Sequence, residues 1–169
     1  MNHMPNLKAK ILEDLRIALR GKKETELSVL RMVLTAIANK EIEKRTRIWK
    51  LKPAWPAQEI HKEGELNDEE LIEVISSEVK KRRESIVLFE QGKRDDLAAK
   101  EKTESEVLQK YLPEQLSEEE IKRLVKGAII KVGAKEIKDM GKVMAELMPS
   151  TKGKADGSLV SKIVRNSLI

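Results

Sequence analysis

The chain has 169 residues, of which 40% are hydrophobic, 37% charged and 2% aromatic. This composition favours one or two small domains of charged helices over an aliphatic core, and it argues against a β-sandwich. Without cysteine there is no disulfide framework and no thiolate chemistry, so nothing requires an oxidising compartment. The first residues lead into a charged amphipathic helix without an apolar targeting segment, and no stretch approaches the ~20 apolar residues of a membrane span. We therefore predict a cytoplasmic protein that has no membrane partner.

The net charge of +5 is unevenly distributed along the chain. Residues 1–47 carry 11 basic and 6 acidic groups, residues 68–116 carry 9 and 13, and residues 117–169 carry 11 and 7. Both ends are therefore expected to attract anions, whereas the middle is expected to repel them.

Apolar residues at the helical period predict four helices in an N-terminal domain, residues 1–112. The first helix should end at Gly21, the second near Arg47 and the third near Gly92. Asn67, followed three residues later by Glu70, is typical of the start of the third helix. The fourth should end before Pro113, because the residue before a proline is disfavoured in helical geometry.

Residues 48–66 interrupt this pattern with two prolines, a glycine and both tryptophans. Proline and glycine are the strongest local signals of turns and loops. We predict an irregular connection here, with His61 in a loop.

A second domain is predicted at residues 117–169, with three helices and no strand. Ser117 and Glu120 form a capping-box pattern for its first helix, which Gly133 should end. Asp139 and Asp156 are N-cap candidates for two shorter helices, the first ending before Pro149. Four apolar residues of these two helices are expected in the core of the domain: Val143, Leu147, Val160 and Val164. The predicted fold class is all-α.

No residues are arranged in a pattern typical of catalysis. His3 and His61 have no partner at metal-ligand spacing, and no serine lies in a sharp strand-to-helix turn. The Lys-Gly-Lys sequence at 152–154 lacks the spacing of a phosphate loop, although backbone N–H groups near a helix N-terminus can still hold a phosphate. We expect no catalytic residue, no cofactor and no metal.

Two basic segments are candidates for nucleic-acid contacts. The run Lys80–Arg83 is interpreted mainly as a solvated helix face, because Glu73, Glu78 and Glu84 lie within pairing distance. Residues 121–169 include eleven basic residues and only four acidic ones. This excess of positive charge suits phosphate contacts; the alternative is that it simply keeps a small domain soluble. No aromatic residue follows Tyr111, so recognition by shape and backbone is expected rather than stacking of unpaired bases.

Several motifs, taken in order, give the chain a resemblance to the GatB/YqeY family. They are Glu26–Met32, Glu78–Ser85, Tyr111–Leu116, Met140–Met144 and Lys152–Gly157. The C-terminal part looks like the tail domain of the B subunit of the tRNA-dependent Asp/Glu amidotransferase, a glutamine-dependent carbon–nitrogen ligase. The resemblance implies an all-α protein whose tail touches tRNA. The amidotransferase active sites lie in other parts of that enzyme and have no counterpart here.

Carried over by matching position, six residues are expected at an RNA-facing surface: Gly141, Lys142, Lys152, Gly153, Lys154 and Arg165. The leading hypothesis is a non-catalytic protein that binds tRNA or associates with an amidotransferase. The alternative is a protein–protein interaction module, in which the acidic middle helices and the tryptophan-bearing segment recognise a partner without any RNA role. An autonomous amide-forming enzyme has little support.

Overall fold

The computed structural model describes residues 6–168, and within that range the secondary structure is helical, with no strand. The helices are α1 (Leu7–Arg20), α2 (Glu24–Leu51), α3 (Ala57–Glu63), α4 (Asp68–Gln91), α5 (Asp95–Gln109), α6 (Glu118–Val132), α7 (Met140–Thr151) and α8 (Gly157–Ser167), with a 3₁₀ turn at Ile137–Asp139. The all-α prediction is confirmed. None of the described helices combines the length and the apolar character that a membrane crossing needs.

The described residues fall into two compact units, one ending at Tyr111 and the other beginning at Leu112. In the first unit, α2 packs against α1, α4 and α5, and α4 and α5 form a long hairpin. Its core contains fully buried aliphatic side chains, among them Ile11, Leu30, Ile37, Ile75 and Leu108.

Residues 48–66 are more regular than predicted, so the first unit has five helices rather than four. α2 continues to Leu51, and α3 occupies Ala57–Glu63. Pro56 precedes the first turn of α3, where a missing N–H and a φ of −57° are tolerated. A Cβ at Gly64 would lie 2.1 Å from Arg45 Cγ, so α3 ends where its backbone closely approaches α2.

His61 lies in α3 rather than in a loop, which corrects the earlier assignment. Its Nδ1 is 4.0 Å from Glu65 Oε1, and both side chains are exposed. His3 lies outside the described residues.

The helix starts predicted from capping patterns are confirmed. Asn67 Oδ1 accepts from Glu70 N at 2.9 Å, and the carboxylate of Glu70 accepts from Asn67 N at 2.9 Å. Ser117 and Glu120 form the same reciprocal pair at the start of α6. Gly133, with φ of 65°, ends α6 in the left-handed conformation that glycine adopts without steric cost.

α7 does not end before Pro149, as predicted, but continues through it to Thr151. A proline in the last turn of a helix removes only one backbone hydrogen bond. The buried Thr151 hydroxyl donates to the Leu147 carbonyl at 2.9 Å, which supports this turn. Pro149 therefore does not set the end of this helix.

Three residues of the run Lys80–Arg83 are exposed, as the interpretation of a solvated face expects, but Arg82 is not, because only 4% of it is exposed. Its Nη2 lies 3.2 Å from Glu104 Oε2 on α5, and its Nη1 lies 3.7 Å from Glu78 Oε2. Its Nε lies 4.0 Å from Glu101 Oε2. Arg82 thus contributes a buried ion-pair network between α4 and α5.

The second unit packs α6, α7 and α8 against one another around a single aliphatic core. Val143, Leu147, Val160 and Val164 are at most 2% exposed, which confirms their predicted place in that core. Val125 of α6 is fully buried in the same core.

Candidate nucleic-acid interface

The turn between α7 and α8 presents two lysines on an anchored backbone. Gly153 has φ of 71°, a left-handed conformation that costs other residues about 1–2 kcal/mol. Its carbonyl accepts from Gln115 Nε2 at 2.9 Å, and the Lys154 carbonyl accepts from Leu116 N at 2.7 Å. The chain preceding α6 therefore holds the turn in place, while Lys152 and Lys154 remain exposed.

The N-terminus of α8, which follows this turn, already has a negative partner. Asp156 Oδ1 accepts from Ser158 N at 2.7 Å. A carboxylate in this position uses the unpaired N–H groups that would otherwise attract an anion. Phosphate contacts near the turn would thus come from the lysine side chains rather than from the helix end.

Gly141 and Lys142 lie at the opposite end of α7, beside Asp139. Lys142 Nζ is 3.1 Å from Asp139 Oδ1, and the other carboxylate oxygen accepts from Lys135 N at 3.2 Å. The Lys135 N–H and then the Lys142 ammonium hold the pKa of Asp139 below its ordinary value. A Cβ added at Gly141 would meet nothing within 4 Å, so packing does not require glycine there.

The six predicted RNA-facing residues do not form one cluster. Lys142 lies in the first turn of α7 and Lys152 directly follows its last residue, so ten residues separate them, which corresponds to about 15 Å of helix. Arg165 is exposed in the last turn of α8, about 12 Å along the axis from the first residue of that helix. The turn, the start of α7 and the end of α8 are separate places, and the role of all six residues in RNA binding stays a prediction.

A basic groove between α6 and α8 was not predicted. It has a volume of about 450 Å³, and its floor includes Leu159 and Ile163. The polar side chains along it are Glu118, Lys122, Lys126, Lys162, Asn166 and Ser167. Three lysines from two helices therefore line one depression.

Only one carboxylate, that of Glu118, is among the described residues that line this groove. Glu118 Oε1 lies 2.6 Å from Lys122 Nζ, and this hydrogen bond, with the charges of Lys122 and Lys162, lowers the pKa of Glu118. Lys126 forms no ion pair with any residue of the described part of the chain. The groove consequently keeps an excess of positive charge.

The prediction missed this groove because its six site residues were carried over by matching position to the family, and none of the six lines the groove. The signal in the sequence was the helical spacing of Lys122 with Lys126, and of Leu159 with Lys162 and Asn166. That spacing shows which residues share a helix face. The meeting of these two faces depends on the packing of α6 against α8.

Two other lysines of the second unit are paired with carboxylates. Lys131 pairs with Glu146 at 2.5 Å, and Lys138 pairs with Glu136 at 3.0 Å. Both lysines lie outside the groove and outside the turn, so they serve as charge-matched controls below.

Comparison with known proteins decides the family. Residues 47–168 match the model of the Yqey-like protein family, YqeY. The chain belongs to this family. The specific resemblance to the amidotransferase tail domain stays a prediction.

Among its relatives is a protein of Pyrenophora tritici-repentis named "Altered inheritance of mitochondria protein 41, mitochondrial". It is 33% identical over 166 residues, which cover 96% of this chain and 78% of the relative. A protein of the same name from Saccharomyces cerevisiae strain YJM789 is 30% identical over 142 residues, covering 79% of this chain and 66% of that protein. The protein of this name from Clavispora lusitaniae is 36% identical over 112 residues, which cover 64% of this chain and 54% of that protein.

These names contradict the prediction of a cytoplasmic location, because the relatives are named as mitochondrial proteins. The prediction relied on the absence of cysteine and of an apolar targeting segment. Absence of cysteine is compatible with any compartment, since it removes only the need for oxidation. Transit into mitochondria uses amphipathic rather than apolar segments, so the second criterion does not test it.

Proposed function

We propose that this Yqey-like protein is a non-catalytic RNA-binding protein whose C-terminal unit holds the backbone of a folded RNA, with tRNA as the RNA class. The observation that carries the proposal is the anchored turn, in which two exposed lysines flank a left-handed glycine. The resemblance to an amidotransferase tail supports tRNA as the ligand and supports association with tRNA amidation.

The physical basis of the proposal is electrostatic. Lysine ammonium groups that neutralise phosphates release counterions, and this release gives binding that weakens steeply with salt. The two hydrogen bonds from Gln115 and Leu116 restrict the turn before any RNA arrives. Less conformational freedom is therefore lost on binding than from a flexible loop.

A tRNA titration at several salt concentrations tests this function. The logarithm of the association constant should fall linearly with the logarithm of the salt concentration. The double variant K152Q/K154Q should make the slope shallower by roughly 2, because each duplex phosphate contact contributes about 0.9. The variant K131Q/K138Q removes the same charge from paired lysines and should keep the wild-type slope. Lack of tRNA binding at low salt, or binding that salt does not weaken, would exclude the proposed function.

A further inference from the structure

We propose that the groove between α6 and α8 is a second contact surface, one that takes the sugar–phosphate backbone of a helical RNA stem. Lys122, Lys126 and Lys162 would contact phosphates, and the Asn166 side chain would hydrogen-bond a ribose 2′-hydroxyl. This inference rests on the proposed function, since it names the form of RNA that the C-terminal unit binds.

The charges of the groove favour a polyanion. Lys126 is free of ion pairs with described residues, and Lys122 and Lys162 share the single carboxylate of Glu118. The Lys122–Glu118 pair is exposed, with 54% and 57% of the two side chains accessible. An exposed pair of this kind contributes little to stability, so a phosphate can take the place of Glu118 at modest cost.

The dimensions of the groove suit a strand of nucleic acid. Glu118 and Lys126 are eight residues apart on α6, which is about 12 Å. On the scale of duplex DNA, where the phosphates of one strand repeat about every 3.4 Å along the axis, that length corresponds to roughly three or four nucleotides. Lys122 and Lys126 lie one helical turn apart, so two cations follow the strand on the same side.

The side-chain types argue for a stem rather than for unpaired bases. Binding of single strands relies on aromatic side chains on which bases stack, and no aromatic residue follows Tyr111 in the sequence. A-form stems instead display 2′-hydroxyl groups and phosphates on a wide, shallow surface. The Asn166 side chain is exposed and makes no hydrogen bond to other described residues, so its amide can both donate to and accept from a 2′-hydroxyl.

An acidic protein segment fits the groove less well. A helix in a groove needs apolar anchors over about two turns. The floor offers Leu159 and Ile163, which are one turn apart on a single helix. Cationic contacts therefore outnumber apolar ones, which suits a backbone of phosphates and sugars.

The test measures anisotropy of a labelled RNA hairpin with the full chain at several salt concentrations. The variant K122Q/K126Q/K162Q should make the salt slope shallower by roughly 2 to 3 and lower the affinity on the order of tenfold or more. The control K131Q/K135Q/K138Q removes the same charge from the same unit outside the groove. Its salt slope and its affinity should stay near those of the wild type. Circular dichroism checks that helicity is kept; should the triple variant unfold, the single variant K126Q should still lower the slope by about 1.

A DNA hairpin of the same sequence tests the role of Asn166. The wild type should prefer RNA, and Asn166→Ala should reduce that preference by roughly 2- to 10-fold, the range for one hydrogen bond. Asn166→Gln, which keeps the amide, should retain more of the preference than Asn166→Ala.

The outcomes separate this inference from the proposed function. If the wild type binds RNA with a steep salt slope and the groove variant matches its control, the groove assignment is wrong and the proposed function stands. If the wild type binds no RNA, both are wrong. If poly-glutamate displaces the hairpin as well as unlabelled RNA does and binds through the same three lysines, the occupant is an acidic polypeptide and the RNA assignment is overturned.

Discussion

The Arg82 guanidinium lies 3.2 Å from the Glu104 carboxylate in the interior of the N-terminal unit, with 4% of Arg82 and 8% of Glu104 exposed. Glu78 and Glu101 also face this cation. One buried arginine therefore lies within 4.0 Å of three carboxylates at the interface of α4 and α5, and two of these carboxylates also pair with lysines, Lys81 and Lys100.

Arg82→Ala is expected to destabilise the protein by about 3–5 kcal/mol, because removing one partner of a buried ion pair leaves the other charge uncompensated. Urea unfolding followed by circular dichroism measures the change. Lys40→Ala is the control, since Lys40 forms an exposed pair with Glu43 and its loss should cost less than about 1 kcal/mol. Equal effects of the two substitutions would contradict a buried network.

Tyr111 is the last residue of the same unit. It is 8% exposed, and its hydroxyl donates to Asp14 Oδ2 at 2.6 Å. Tyr111→Phe is expected to cost about 1.5–3 kcal/mol, the usual contribution of a hydrogen bond to a charged group. Adding Asp14→Asn to Tyr111→Phe should lower the free energy of unfolding little further, because the hydrogen bond between them is already lost. Fully additive losses of stability in this double-mutant cycle would contradict that hydrogen bond.

The same hydrogen bond predicts a pH dependence at alkaline pH. Burial, and then the hydrogen bond to Asp14, raise the pKa of Tyr111 above its ordinary value of 10.0. The folded state therefore keeps its proton where the unfolded state loses it. The resulting stability is fully present below pH 10 and is lost as the pH rises above that value. The difference in unfolding free energy between wild type and Tyr111→Phe should shrink between about pH 10 and 12. A difference that stays constant over this range would contradict a raised pKa of Tyr111 in the folded state.

Gly64→Ala tests the close approach of α3 to α2. The new Cβ would lie 2.1 Å from Arg45 Cγ and 2.9 Å from the Ile60 carbonyl oxygen. Because the second of these atoms belongs to the backbone of α3, that backbone must shift to make room. We expect a loss of about 1–3 kcal/mol in thermal or urea unfolding. Gly127→Ala in α6, where nothing lies within 4 Å, is the matched control and should stabilise by about 0.5–1 kcal/mol. A neutral Gly64→Ala would show that α3 does not pack as described.

The two glycines of the predicted RNA-facing set should respond differently to substitution. Gly153→Ala places a side chain at φ of 71° and should cost about 1–2 kcal/mol, with weaker tRNA binding through displacement of the lysine turn. Gly141→Ala lies in open space on α7 and should leave stability unchanged or raised. If Gly141→Ala also keeps full tRNA affinity, Gly141 is not a place of close RNA approach.

The sequence by itself determined the all-α class, the helix starts at Asn67 and Ser117, and the aliphatic core of the C-terminal unit. Caps and apolar periodicity act within a few residues, so they can be read without knowing what packs where. Helix α3 packs against α2, and α7 continues through Pro149 to Thr151; local proline and glycine signals report neither outcome.

Only the tertiary structure decided which charges are buried and which share a surface. Arg82 lies in a run of four basic residues, and its burial follows from Glu101 and Glu104 on α5, about twenty residues away. Lys126 and Lys162 face one groove because α6 and α8 pack together, although 36 positions separate them in the sequence. Charge interactions act through space, so their partners are set by the fold rather than by distance along the chain.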